Sequence, residues 1–551
     1  MLDYSLVGND VYTDIEMFEA YTSEHSDSTI LNQIGAYAPN ESCMRSMEDL
    51  LRKPIVNTSE LVNRQNRVRN ILDKYSSHRE KTDSLICKIK ETEEDVQWLL
   101  GNDTTKHDIL NPADFVYVKW RVLKQLGCNA SGLFLLLKNA YIIMLSPMLS
   151  IFSPIVSIII PYVILRFKLK LKIPFTVFLR TVLKIIISNV TWMIRSKHPN
   201  FMQLLTYVVS IIIYFQAIFN TVELSKNTYK VVRFISHKMT SLSNYIKACG
   251  DLLRIYGIDD NAPEGCKTSG LRLGEKMVLY KQIRSPETAV DHERHTHLRE
   301  YIRHTNHHLA FVGIALLANA RKMCFTNFVE GVHEPILSTK GLYHASVENP
   351  VPNDFDLRSE NCVITGPNAA GKSTLIKALL INTIVSQTFG LAFATEFEMT
   401  PFYFITSQIN IPDVKGKESL FEAEMYRSKF NLDIVKQVPS DRKCLVVMDE
   451  MFNTTNVVEG VSGAYGILRN LCKSSNACTI VTTHYSILAK TKGVKACQME
   501  VDQDTGASIR FPYILTDGIS KQFVAIELLK NHFDEDVIEC AINFKKKLLL
   551  V

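Results

Sequence analysis

The chain has 551 residues, 46% of them hydrophobic and 22% charged, which is length for roughly three or four domains with buried cores. Its net charge of +5 hides an asymmetry: Phe115 to Met239 carries 16 Lys and Arg against one acid, Glu223, a local +15 that leaves −10 for the rest. One region therefore suits anionic partners, lipid head groups or nucleic acid phosphates, while twelve scattered cysteines with no C-x-x-C pair argue against a zinc site or disulfide framework and for a reducing compartment.

Met1-Leu-Asp-Tyr4 carries an acid early and lacks a charged segment followed by an apolar one, so no cleavable signal peptide is expected. Residues 30–100 read as helical: Leu61, Val68 and Leu72 share one face, and Asn57, Thr58 or Ser59 can cap the start after Pro54. Asn139 to Leu165 is then a run of 27 residues without a charge, and Pro199 to Val222 a second run of 24. Each exceeds the roughly 20 residues that span a hydrocarbon core. The first contains Pro147, Pro154 and Pro161, each costing about 3 kcal/mol in a soluble helix but better tolerated in a membrane. Between the runs, Arg180 and Lys184 interrupt an apolar stretch; burying both at a bilayer centre would cost about 5 to 7 kcal/mol, which predicts an interfacial amphipathic helix rather than a third span. Arg166 to His198 holds eight Lys and Arg against seven on the outer flanks, so charge does not set the topology. A soluble helical insertion whose basic residues touch DNA is the alternative reading. Long helices return from about Thr221 to Leu317, with loops near Asp259 to Gly265 and Ser285 to Glu287. On them His297, Glu300, His304 and His308 share one face; no closed four-ligand spacing stands out, and no metal site is assigned there.

The richest chemistry follows. Gly366, Pro367, Asn368, Ala369, Ala370, Gly371, Lys372, Ser373 and Thr374 form a G-x-x-x-x-G-K-[ST] loop after the apolar run Cys362 to Ile364 and before a periodic segment, Thr374 to Ile384. Such a loop curls its N–H groups around phosphate oxygens at a helix N-terminus, with Lys372 as the compact charge and Ser373 as a Mg²⁺ ligand. The pattern predicts ATP and Mg²⁺ as ligands. Downstream, Leu445 to Glu450 is an apolar strand ending in two carboxylates.

Several further elements occur in an order that resembles the MutS family of mismatch-repair ATPases: Gly331-Val-His-Glu-Pro335, Val351-Pro-Asn-Asp354, Ser419-Leu-Phe-Glu-Ala-Glu-Met425, Asp449-Glu450 and Thr482-Thr-His-Tyr485. More loosely, Pro54, Leu61, Arg64 and Val68 look like the family's lever helices. The resemblance implies an α/β P-loop NTPase domain, ABC- and MutS-like, preceded by a mostly helical lever region with a candidate transmembrane hairpin. The expected divisions are 1–115, a first lever part; 116–240, a basic apolar insertion holding spans 139–165 and 199–222; 241–325, the lever's return; and 326–551, the ATPase. The insertion stands where the family carries its DNA clamp, and the segment before Ile30 leaves no room for a mismatch-reading domain.

By the same resemblance, Asp449 orients Mg²⁺, Glu450 polarises the attacking water, His484 senses the γ-phosphate, and Ser419 reaches the nucleotide of a partner subunit in a homodimer or MutS-like heterodimer. One departure stands out: where the family shows G-R-G-T-S, this chain reads Phe452-Asn-Thr-Thr-Asn456, and only Thr455 keeps its place. Loss of both glycines removes backbone freedom and points to slow turnover. The expected function is an ATP-hydrolysing, DNA-binding protein without mismatch specificity, membrane-associated with its ATPase facing the cytosol, which the need for ATP dictates; a soluble cytoplasmic or nuclear protein is the alternative location. The rivals are a membrane-bound ATP-dependent scaffold without DNA activity and an ABC-type transporter component, the latter disfavoured because no L-S-G-G-Q precedes Asp449.

Overall fold

The computed structural model describes residues 3–21, 29–101, 115–195, 201–258, 270–358, 360–409, 411, 420–453, 455–502, 510–520 and 534–548. Packing divides the chain into two units, Met1–Ile86 with Leu252–Asp259 and Arg303–Val551, and Cys87–Asp251 with Asp260–Ile302. The divisions after Ile86, Asp251 and Ile302 fall inside long helices, whereas 115, 240 and 325 mark changes in charge and hydropathy; the two criteria measure different things.

In the first unit, Asn57 accepts a hydrogen bond from the Glu60 amide at 3.0 Å and so starts helix α1, Thr58–Leu99. Most of the unit is α/β. One sheet has seven strands: β1 (Leu6–Val7), β7 (Phe402–Gln408), β8 (Lys443–Asp449), β9 (Ala477–Thr483), β5 (Asn361–Thr365), β10 (Val494–Met499) and β11 (Leu515–Asp517), in that spatial order. All neighbours pair parallel except β10 and β11. Every residue of β5 and β9 is buried, as unbroken apolar runs with both faces covered require. A second sheet, in the order β2 (Asn327–Phe328), β6 (Glu396–Met399), β3 (Ile336–Leu342) and β4 (Asn353–Arg358), is half exposed: Asn353, Phe355 and Leu357 point in while Asp354, Asp356 and Arg358 point out. Helix α7, Lys372–Phe389, follows β5; α8, Leu420–Gln437, precedes β8; and α9, Val457–Leu471, links β8 to β9. The lever's return ends in α6, Ala289–Arg321, where the His304 and His308 rings meet edge-on with centroids 4.5 Å apart.

The second unit is helical. The first apolar run lies within one continuous helix, α2, Gly132–Lys168, which at 1.5 Å per residue is about 55 Å long. The segment carrying Arg180 and Lys184 is helix α3, Phe175–Arg195, and the second run opens α4, Phe201–Ile255. Helix α5, Leu273–Arg284, meets the start of α2 backbone to backbone, because Gly274 and Gly132 leave no side chain between them. Prolines inside α2 strand carbonyls four residues earlier, and serines recover two of them. Ser225 on α4 donates to the Ile143 carbonyl that Pro147 leaves unbonded, at 2.7 Å, and Ser153 donates to the Ser150 carbonyl that Pro154 leaves, at 2.9 Å. Ser150 to Thr221 at 3.2 Å and Tyr214 to the Ile151 carbonyl at 3.0 Å continue an antiparallel pairing. The polar groups thus face each other while the apolar ones face out: the most apolar stretch of each helix has no buried residue, and Phe215 and Phe219 are 64% and 65% exposed.

Candidate active site

Strands β8, β9 and β5 are adjacent and parallel, so their carboxyl ends open on one side of the sheet. The three motif segments leave from those ends: Gly366–Thr374 after β5, Asp449-Glu450 at the end of β8, and His484 after β9. Parallel α/β sheets bind ligands in the crevice at this edge. The loop requires its glycine at 371, where φ is +94° and an added Cβ would sit 3.1 Å from the Tyr513 ring; Ala369 adopts φ +63° beside it.

Lys372 is buried, 4% exposed, and its ammonium donates to the carbonyls of Gly366 and Pro367 at 3.1 and 3.0 Å. It also lies 3.2 Å from Glu450 Oε1. His484 Nε2 approaches that same oxygen at 2.5 Å, while Asn453 Nδ2 donates to Oε2 at 2.7 Å. Burial alone would raise the Glu450 carboxyl, but the hydrogen bond and charge of His484, with Lys372, outweigh it and hold the group below the usual carboxylate range. Asp449 moves the other way. Burial raises it against hydrogen bonds from Ser373 and Thr482, and the Glu450 charge adds to the rise.

A cavity of about 540 Å³ opens over the loop, lined by Asn368, Ala369, Gly371, Lys372, Ser373, Thr374 and Glu450. Ala370 packs beneath it, fully buried. The residues present fit a magnesium nucleotide: the glycine cradle excludes side chains, and the Ser373 hydroxyl and Asp449 carboxylate meet as two hard oxygens. Ser419 lies outside the described residues. Just after it, Phe421 at the start of α8 packs on Phe452 with ring centroids 5.5 Å apart.

Sequence reading missed much of the cavity wall. His344, Val347, Met499 and Tyr513 line it. Burial, then the Lys377 charge, holds His344 down at about 4, so it is neutral near pH 7; its Nδ1 accepts from the Ser346 amide at 3.2 Å. Asn353, inside the Val351 to Asp354 element, donates to the Tyr513 carbonyl at 3.0 Å and accepts from the Leu515 amide at 2.7 Å, which ties the Tyr513 segment to β4. Nothing in the local sequence marks Met499 or Tyr513. Conversely, Gly331 to Pro335 does not reach this cavity: the His333 carbonyl accepts from Lys443 at 2.5 Å beside a separate hollow of about 600 Å³.

The turn after Glu450 keeps a glycine-like backbone without glycine. Glu450 and Phe452 adopt φ +46° and +59°, and the Phe452 ring is buried among Met451, Ala464 and Leu468. The left-handed conformation costs a non-glycine residue about 1–2 kcal/mol, which packing of the ring offsets.

Residues 362–549 match the family MutS domain V. The DNA mismatch repair protein MutS of Aquifex pyrophilus is 31% identical over 210 residues, 36% of this chain and 24% of that protein. Endonuclease MutS2 of Clostridium tetani is 33% identical over 228 residues, 39% and 26% of the two chains. The DNA mismatch repair protein MSH3 of Saccharomyces cerevisiae is 24% identical over 344 residues, a match longer than domain V that takes in 58% of this chain and 30% of that one. The aligned part thus spans about a quarter to a third of these relatives' lengths. With the loop, the paired acids and the histidine gathered at one sheet edge, and the family model matched from β5 onward, residues 362–549 are a MutS domain V.

Proposed function

We propose that the chain binds and hydrolyses ATP with Mg²⁺ at the cavity over Gly366–Thr374. The observation that carries this reading is Glu450, held on one oxygen by both Lys372 and His484 at the end of β8. Loop N–H groups and Lys372 would grip the β- and γ-phosphates, Lys372 exchanging Glu450 for phosphate oxygens as the nucleotide enters. Ser373 and Asp449 would hold Mg²⁺, which neutralises phosphate charge when bound. Glu450, ionised at neutral pH, accepts the proton of the attacking water as the new O–P bond forms and the bridging O–P bond breaks. His484 stands beside it, ready to donate to a γ-phosphoryl oxygen.

Three finer readings go with this proposal, the first two drawn from the family resemblance and the third from the apolar helices. The chain acts as a homodimer or MutS-like heterodimer with composite sites, Ser419 reaching the partner's nucleotide. It binds DNA through phosphates and without mismatch preference, and Lys226, Lys230 and Arg233, all exposed on one face of α4, are its contacts. It is anchored in a membrane by α2 and α4 with the ATPase on the cytosolic side, because apolar faces turned outward around an inward polar seam suit lipid rather than water. The non-glycine turn at Phe452 favours one rival, a membrane-bound scaffold that binds ATP without DNA activity.

Titrating labelled homoduplex and single-mismatch duplex across salt, with hydrolysis measured in parallel, separates the two. The proposal expects coincident binding curves that weaken together with salt and hydrolysis that responds to DNA. Absence of binding at low salt leaves the scaffold, and a preference for the mismatch overturns the phosphate-only reading.

A further inference from the structure

Helix α3 is not explained by a two-helix anchor. It leaves the end of α2 through Arg166–Lys172, and its attachment is local: Tyr162 packs on Phe175 and Phe178 with centroids 5.0 and 5.3 Å apart, and its hydroxyl donates to the Ile173 carbonyl at 3.3 Å. Phe178, Leu179 and Val182 are half-buried. Beyond them, Leu183 through Ser188 are all exposed, including Ile185, Ile186 and Ile187 at 48 to 59%. So α3 departs from α2 within two turns and carries a bare apolar surface away from it.

Most of its polar residues share one side. Thr176, Arg180, Lys184, Ser188 and Thr191 recur at three- or four-residue spacing, with Arg180 and Lys184 at mid-helix, and Thr191 spends its hydroxyl on the Ile187 carbonyl of its own helix at 2.7 Å. Charges at that position oppose a span, while the wide apolar remainder opposes free exposure to water. From Arg166 to Arg195 there are seven Lys and Arg and no acid. The pairing of α2 with α4 sets the level: residues 143–151 lie beside 225–214, so Arg166–Lys172 and α3 belong to the opposite end from Lys138, Lys226 and Lys230.

We propose that α3 lies in the plane of the bilayer, in the leaflet farther from Lys138 and Lys226, with its apolar side sunk among acyl chains and Arg180 and Lys184 on the phosphates of anionic lipid. This rests on the membrane reading of α2 and α4. It makes the tip of the hairpin a lipid-selective element rather than a passive turn. The wide apolar side sinks the helix deeply, and the paired cations choose the head group.

The test is hydrogen exchange of the full-length chain reconstituted in phosphatidylcholine vesicles, with or without about one third phosphatidylglycerol. Amides of 175–195 should exchange about tenfold more slowly, or better, when the anionic lipid is present, and Arg180→Gln/Lys184→Gln should abolish that difference. Amides of 147–165 should stay protected throughout. Equal exchange of 175–195 in the two vesicles overturns the proposal, as does protection that grows with protein density at fixed lipid composition, which would mean that a second copy covers the helix. Rapid exchange of 147–165 in both vesicles, or release of the chain by alkaline extraction, would instead overturn the membrane reading beneath it.

Discussion

Around β5, β8 and β9 the apolar side chains are packed between helices, and polar groups collect where the strands end: Lys372 and His484 meet Glu450, and Ser373 meets Asp449 beside it. In α2 and α4 the arrangement is reversed. Ser150, Tyr214, Thr221 and Ser225 meet between the helices while Ile, Val and Phe face outward. The same rule produces both, since a polar group away from water must find a partner. On the proposed membrane reading, what differs is the solvent each region is built for, and therefore what a polar substitution does. In the sheet it changes chemistry, and in the hairpin it changes only how well two helices stay together.

The largest expected effect falls on the sheet side. Lys372→Ala removes the charge that meets the phosphates and should reduce ATP affinity by at least about a hundredfold, given that charge-assisted bonds are worth ~1.5–3 kcal/mol each. Calorimetric titrations giving equal affinities for the two proteins would break the assignment of the loop.

Phe452→Gly sets two terms against each other. Relief of a left-handed backbone returns about 1–2 kcal/mol, and loss of a buried ring costs about 3–5 kcal/mol. A net loss of about 1–4 kcal/mol in denaturant unfolding is expected; a stabilised variant would mean that the ring is not part of the core.

Acid should act on the unit that carries the sheet. Burial, reinforced by neighbouring cations and histidines, holds His307 and His308 at about 4, as burial and Lys377 hold His344, against 6.5 in the unfolded chain. A folded value below the unfolded one means that the unfolded state takes up protons first. Stability is therefore complete above 6.5 and lost as pH falls toward about 4. The uncharged runs Asn139 to Leu165 and Pro199 to Val222 contain no histidine, so they add nothing to this loss. A melting temperature that stays flat from pH 6.5 to about 4 would contradict it.

The smallest effect belongs to the hairpin. Ser150→Ala and Tyr214→Phe each remove one hydrogen bond between helices, worth about 0.6 kcal/mol in a bilayer. Unfolding in mixed micelles should register each loss separately, and a cost of several kcal/mol would show that these groups are buried in a water-excluded protein core instead.

What could be read from the residues follows the same division. The phosphate loop and the paired acids sit at strand ends within a few residues of an apolar run, so local spacing revealed them, whereas His484 stood out only through the family resemblance of Thr482 to Tyr485. His344, Met499 and Tyr513 reach the cavity through tertiary contacts between segments far apart in the chain, such as Asn353 with Tyr513, which no local pattern records. Asn453 was visible as a departure from the family turn, but its bond to Glu450 follows from the left-handed backbone on either side of Met451. In the hairpin, apolar length was plain. That Ser225 recovers the carbonyl behind Pro147 required knowing which faces of α2 and α4 meet.

The central claim is that Glu450 accepts the proton of the water that attacks ATP. It is tested most directly by single-turnover hydrolysis of Mg²⁺-ATP by the full-length chain and by Glu450→Gln, with nucleotide affinity measured on the same samples. Glutamine keeps the shape and the hydrogen bond from Asn453 but cannot take the proton, so hydrolysis should fall by about 10²–10⁴-fold while affinity changes only a few-fold. Hydrolysis at the unsubstituted rate in Glu450→Gln would contradict the account.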